Sequence, residues 1–133
     1  MAGETNLHTL LRHMKPHLNE GLYVFCSFPE QKSDLQEHAI GTFREPEGIT
    51  YILPQAIADQ QNISYEFLAS WITLEIHSAL DAVGLTAAFS QALGEANISC
   101  NVVAGYYHDH IFVGERDTEK AMKVLQKLSK DAA

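Results

Sequence analysis

The sequence predicts an α+β fold, and three observations carry that prediction. Ile72, Leu74 and Ile76 alternate with Thr73, Glu75 and His77, the period of a strand with one buried face. From Leu85 the period changes: Leu85, Ala88, Phe89, Ala92, Leu93 and Ala96 recur at helical spacing. Two further strand-like runs and a second helical run follow. The resulting order of strand, helix, strand, strand, helix is the ferredoxin-like βαββαβ pattern without its last strand. It predicts antiparallel sheets with helices on one face.

Taken in order, Thr5 or Asn6 can cap a first helix whose apolar stripe is Leu7, Leu10, Leu11 and Met14, stopped by Pro16. Gly21 opens LYVFCSF, a run of strand formers. PEQKSDLQE, from Pro29 to Glu37, reads as a loop or short helical turn. AIGTFRE and GITYILP, joined by EPEG, read as a β-hairpin. Pro54 to Gln60 reads as a brief helix with proline at its first position. The polar break Gln61–Ser64 divides the chain into two units, 1–64 and 65–133. In the second, Asn97 closes the helix that begins at Leu85. Ile98–Gly105 and His108–Val113 are strands joined around Tyr106–Tyr107. Asp117 caps a final helix with a buried stripe of Ala121, Val124, Leu125 and Leu128.

Too few residues follow that helix for a closing strand, so one sheet edge is left unpaired. The run 22–28 is the expected cover, which makes the two units interdependent. The strands on either side of the Leu85 helix are expected to be parallel neighbours through a right-handed crossover.

Composition narrows the function. Apolar residues make up 46% and charged residues 20%, a globular balance. Formal net charge is −8, from 9 Lys+Arg against 17 Asp+Glu. Nucleic acid and anionic membranes require a basic face, and the one basic cluster, Lys120, Lys123, Lys127 and Lys130, sits where lysines complement a helix C-terminus. Neither is expected as a partner. MAGETNLHTLL lacks the features of a signal peptide, and no apolar run spans a bilayer, so the expected location is cytoplasmic. Cys26 and Cys100 fall in apolar runs and read as buried thiols. No cofactor is implied, and no nucleophile elbow, P-loop or dinucleotide fingerprint occurs. The chain is therefore not expected to be an enzyme.

The stretch HSALDAVGLTAA, residues 77–88, joins a strand to a helix. There the first helical N–H groups lack intrahelical partners and attract a carboxylate. Asp81 can pair with an ammonium group, and Gly84 allows close approach to the backbone. The loop then has the charge pattern that fits a free amino acid. The alternative is that Ser78 or Asp81 simply caps the helix and Gly84 permits the turn. His108 and His110 share a strand face, with His77 as a conceivable third metal ligand. The reading preferred over a metal site is that these histidines bond to backbone or water, or line a paired sheet surface, so no metal is expected. Asp109 points to the other face and could bond the Tyr106–Tyr107 turn or lie near the 77–84 loop.

The stretch from Trp71 to Val113 resembles the ACT-domain family. The residues that carry the likeness are the HSALDAVGLTA loop, the NISCNVVAG strand and the YHDHIFV strand. The whole chain is most similar to small bacterial proteins with two ACT-like units in tandem, through GLYVFCSF at Gly21–Phe28 and TFREPEGITYI at Thr42–Ile52. The resemblance implies a regulatory module, without a catalytic domain of its own, that binds an amino acid or similar small ligand between paired units. A homo-oligomer is therefore implied. Carried over by position, the ligand residues are Ser78, Leu80, Asp81, Ala82, Val83 and Gly84 in the loop, with Ile98 and Asn101 on the following strand. The loop departs from the Asn-x-x-Gly form of some ACT domains, having Asp81 and Gly84. Two other functions remain open: a protein-interaction module using the open sheet edge with Tyr106, Tyr107 and Phe112, and a metal-dependent enzyme using His108 and His110.

Overall fold

The computed structural model describes residue 3 and residues 5–132. Its elements run α1 (Leu7–His13), β1 (Pro16–Leu18), β2 (Tyr23–Phe28), α2 (Ser33–Gln36), β3 (Gly41–Glu45), β4 (Gly48–Pro54), α3 (Gln55–Gln60), β5 (Leu68–Leu74), α4 (Leu85–Glu95), β6 (Asn101–Ala104), β7 (Asp109–Gly114) and α5 (Thr118–Asp131). A 3₁₀ turn, Glu115–Asp117, leads into α5. Among the described residues no helix is long and apolar enough to cross a membrane. The chain forms two compact units: the chain up to Asn19 joins Ser70 onward, and Glu20–Ala69 forms the other.

The unit of Glu20–Ala69 is a complete βαββαβ arrangement. β2 pairs antiparallel with β4, β4 with β3, and Tyr23 and Val24 lie opposite Ala69 and Leu68 at the start of β5. Val24, Cys26 and Phe28 stand opposite Leu53, Tyr51 and Ile49, so one face of the sheet is apolar. Leu35 of α2 and Ala58 of α3 pack into the core with Val24, Tyr51 and Leu53. Tyr51 keeps its hydroxyl satisfied by accepting the Lys32 N–H at 2.8 Å. The helical turn expected within 29–37 is the single turn α2. Pro54 is the last residue of β4 and the N-cap of α3, one position earlier than expected, with an extended ψ of 137°.

The other unit has the same pattern with its last strand supplied from the N-terminal side. β1 pairs antiparallel with the end of β5, Pro16 opposite Leu74 and Leu18 opposite Ile72. This corrects the expected edge cover. The 22–28 run contributes only Tyr23 and Val24 to β5, whereas Pro16–Leu18 fills the place of the missing strand. A second expectation is also corrected: β5 and β6 are not neighbours, because β7 lies between them. Trp71 lies against Phe112 and Thr73 against His110, so β5 and β7 run in opposite directions. The crossover through α4 skips one strand, which lets both sheet contacts be antiparallel.

The core of this unit gathers Leu10 and Met14 of α1, Leu85, Phe89 and Leu93 of α4, and Ala121 and Leu125 of α5 against Ile72, Leu74, Ile111 and Val113. The four sheet residues alternate along β5 and β7, so all three helices cover one sheet face. Asn6 is the cap of α1, its Oδ1 accepting from Thr9 N at 2.9 Å. Asn97 ends α4 at φ 60°, a left-handed value that asparagine tolerates. Asp117 occupies the N-cap position of α5 without a side-chain cap bond. Instead, the Thr118 hydroxyl donates to Glu115 O at 2.6 Å.

Candidate functional site

The loop between β5 and α4 is folded by short backbone bonds. Ser78 N–H donates to Ile76 O at 3.1 Å, and Ala82 N–H to Ala79 O at 3.0 Å. Gly84 is the N-cap of α4, with φ 102° and no side-chain cap bond. Neither Ser78 nor Asp81 stands at the N-cap, so that part of the capping alternative is corrected, while Gly84 does permit the turn. Gly84 is required for a different reason from ligand approach. A Cβ there would lie 2.9 Å from Leu7 Cδ2, and the positive φ disfavours any side chain. Gly3 fits equally closely against the other end of the loop, since a Cβ on it would meet Ser78 C at 2.6 Å and His77 O at 2.7 Å.

A pocket of about 240 Å³ opens on this loop, lined by Gly3, His77, Ser78, Ala79, Leu80, Asp81 and Tyr106. Of the residues expected to bind ligand, Ser78, Leu80 and Asp81 meet there. Leu80 is 69% exposed and Val83 84% exposed. Ala82 is half-buried and packs against the core. Ile98 lies in the core at 3% exposure, ahead of β6 rather than in it, so its side chain is not presented to solvent. Asn101 is exposed on β6, and its Nδ2 donates to Phe112 O at 3.5 Å. His77 and Tyr106 also line the pocket, although neither is among the ligand residues expected from the sequence. Their signal in the sequence was weak, because they are brought together by the turn between β6 and β7 and not by local spacing. The rings of His77 and Tyr107 are 5.1 Å apart, and those of His77 and Tyr106 6.0 Å.

The remaining histidines take part in hydrogen bonds. The Trp71 indole donates to His110 Nδ1 at 3.0 Å, and Thr73 Oγ1 lies 3.1 Å from the same nitrogen. Thr73 Oγ1 in turn accepts from Asn19 Nδ2 at 2.9 Å. Because the indole can only donate, His110 Nδ1 must be the acceptor, and the ring is neutral with its proton on Nε2. Burial, then His108, pushes the His110 pKa down, against the pull of Asp109. His108 lies just before β7 and donates from Nδ1 to Ile76 O at 3.3 Å. Asp109 is half-buried, and burial raises its pKa against the opposing effect of the two histidines. Among the described residues no three His, Cys, Asp or Glu side chains form a group that could hold a metal ion. Burial raises the pKa of both Cys26 and Cys100; at Cys100 a bond from Ser90 opposes it.

Models of the ACT domain match residues 2–70 and again residues 66–127. The chain belongs to the ACT-domain family. Its two ACT domains stand in tandem, and the α+β architecture is the one the sequence predicts. A crystal structure of a protein of unknown function from Vibrio cholerae, called a possible transport protein, is 47% identical, with a TM-score of 0.84 over 92% of this chain and 95% of that one. The ligand-free regulatory subunit of aspartate kinase from Thermus thermophilus shares the ACT fold at 10% identity, with a TM-score of 0.60 over 85% of this chain and 95% of that one. A protein from Agrobacterium tumefaciens, at 17% identity, has a TM-score of 0.62 over 87% of this chain and 89% of that one. No functionally curated protein matches the chain.

Proposed function

We propose that this protein is a cytoplasmic regulatory module that binds a free amino acid, or a close relative, at the 77–84 loop, and that it works as a homo-oligomer without catalysis of its own. One observation supports the site above the rest. The N-terminus of the eleven-residue helix α4 has no side-chain cap, and exposed Asp81 stands three residues before its N-cap, beside a pocket of about 240 Å³. The helix end favours a carboxylate, and Asp81 favours an ammonium group. The ACT matches and the regulatory subunit of aspartate kinase, which shares the fold, support a regulatory role. Ser78, Leu80, Asp81, Ala82, Val83 and Gly84 are the proposed ligand segment. Asn101 would serve a ligand held against the β6 edge of a second copy.

A thermal-shift series with the common amino acids at millimolar concentration tests this. A ligand present at 100 times its Kd adds about 2.7 kcal/mol to the folded state, which is readily seen as a rise in Tm. If no amino acid moves the transition, the reading fails. A second reading is an interaction module. β6 ends its sheet, and Val103, Tyr106 and Tyr107 nearby are 40%, 58% and 61% exposed. A strict monomer at high concentration in solution argues against that reading.

A further inference from the structure

We infer that the pocket beside Asp81 receives the cationic end of a side chain, so that the ligand is an amino acid with an ammonium or guanidinium group beyond its α-carbon. This rests on the amino-acid reading above and narrows it. Three observations carry it. Among the described residues of the lining, Asp81 is the acidic side chain, and neither lysine nor arginine is present. Its other described walls are the small residues Gly3, Ala79 and Ser78, the last with a hydroxyl, together with Leu80 and the rings of His77 and Tyr106. The aromatic part is braced: Tyr106 meets Tyr107 edge-on at 5.0 Å and 84°, and both rings lean on His77. That packing accounts for how two tyrosines more than half exposed are held in place.

Such walls suit a cation and repel an anion. The faces of tyrosine rings carry the negative part of the quadrupole and attract ammonium or guanidinium groups within about 6 Å. Asp81 adds a full negative charge. The α-ammonium of an amino acid is a poor candidate for this place, because its α-carboxylate is only one carbon away. Seating the α-ammonium on Asp81 would hold the α-carboxylate near the Asp81 carboxylate, and among the described lining residues no lysine or arginine offsets the pair. A cation at the end of an aliphatic chain removes that conflict. The chain runs along Leu80, Ala79 and the Tyr106 ring, while the α-carboxylate stays outside, toward the N-terminus of α4. The formal net charge of −8 also favours the approach of a cationic ligand.

The test measures binding to the full chain by calorimetry with five probes: lysine, arginine, norleucine, glutamate and cadaverine. Lysine and arginine should bind about tenfold or more tightly than norleucine, which has the aliphatic chain without the charge. That gap should narrow as NaCl rises from about 0.05 to about 0.5 M. Asp81→Asn and Tyr106→Leu should each weaken lysine about fivefold while the Tm of the ligand-free protein stays in place. Norleucine or glutamate binding as tightly as lysine overturns the inference and leaves the amino-acid reading standing. Cadaverine binding as tightly as lysine supports the cation pocket and overturns the amino-acid reading. Binding by none of the five probes, with no response to any other amino acid, overturns both.

Discussion

Replacing Gly84 with alanine tests the physical account of the loop most directly. The residue sits at φ 102°, and an added Cβ would lie 2.9 Å from Leu7 Cδ2. Holding an L-residue in the left-handed region costs about 1–2 kcal/mol. Moving the Leu7 side chain off its rotamer to relieve the contact adds about 0.5–1.5 kcal/mol. The stiffer unfolded chain offsets about 0.4–1 kcal/mol. The net expectation is a loss of about 1–2 kcal/mol, or about 3–8 °C in Tm for a chain of this size. Thermal unfolding followed by the fluorescence of Trp71, the single tryptophan, reads it out. The same substitution in a Leu7→Ala background removes the steric part and leaves the φ part, so its cost should fall by about 0.5–1.5 kcal/mol. An unchanged or higher Tm for Gly84→Ala would refute the strained-cap argument. An equal cost in both backgrounds would refute the part assigned to Leu7.

Three other outcomes follow from the same geometry. His110 has a lowered pKa in the folded state, so the unfolded state takes up its proton first as pH falls. Its contribution is intact above the ordinary histidine value of about 6.5 and is lost as pH drops from there toward the lowered folded value. Urea unfolding at several pH values should show a shallower loss of stability on acidification in His110→Gln than in the wild type. A chain starting at residue 20 loses β1 together with buried Leu10 and Met14, each worth about 2–5 kcal/mol in a core. Circular dichroism and proteolysis should find its 70–133 segment unfolded, and a protease-resistant segment would contradict the role assigned to β1. Both thiols have raised pKa values through burial, so reaction of Cys26 and Cys100 with a disulfide reagent at pH 7 should be slow until denaturant is added. A fast native reaction would contradict this.

What could be read from the sequence was whatever repeats locally. The alternation at Ile72 and Leu74 and the helical spacing of Leu85, Phe89 and Leu93 report directly which faces are buried. The family likeness draws on that stretch and on GLYVFCSF and TFREPEGITYI in the first half. β1 escaped notice because Pro16, His17 and Leu18 are too few to alternate, and only their partners Leu74, Thr73 and Ile72 make them a strand. The strand neighbours were misassigned because a crossover helix fixes the direction of the next strand but not how many strands it passes over. In the candidate site, Asp81 and Ser78 stood out by type and position. Tyr106 joined them only through a turn 25 or more residues further on, which no local pattern encodes.

The same N-terminal segment that completes the sheet also shapes the loop. Glu75 N–H donates to Lys15 O at 2.8 Å, just before β1. Earlier in that segment, Leu7 fills the space over Gly84, and Gly3 lies against the backbone of 77–79. Three points along one short stretch therefore bear on the beginning, middle and end of the route from β5 to α4. Leu10 and Met14 of that stretch are anchored in the core at 0% and 1% exposure, so it cannot shift without disturbing the packing beneath it. The 77–84 loop and the pairing of β1 with β5 thus share contacts with one segment, through Gly3, Leu7 and Lys15. Removal of that segment therefore disturbs the loop and the sheet edge together.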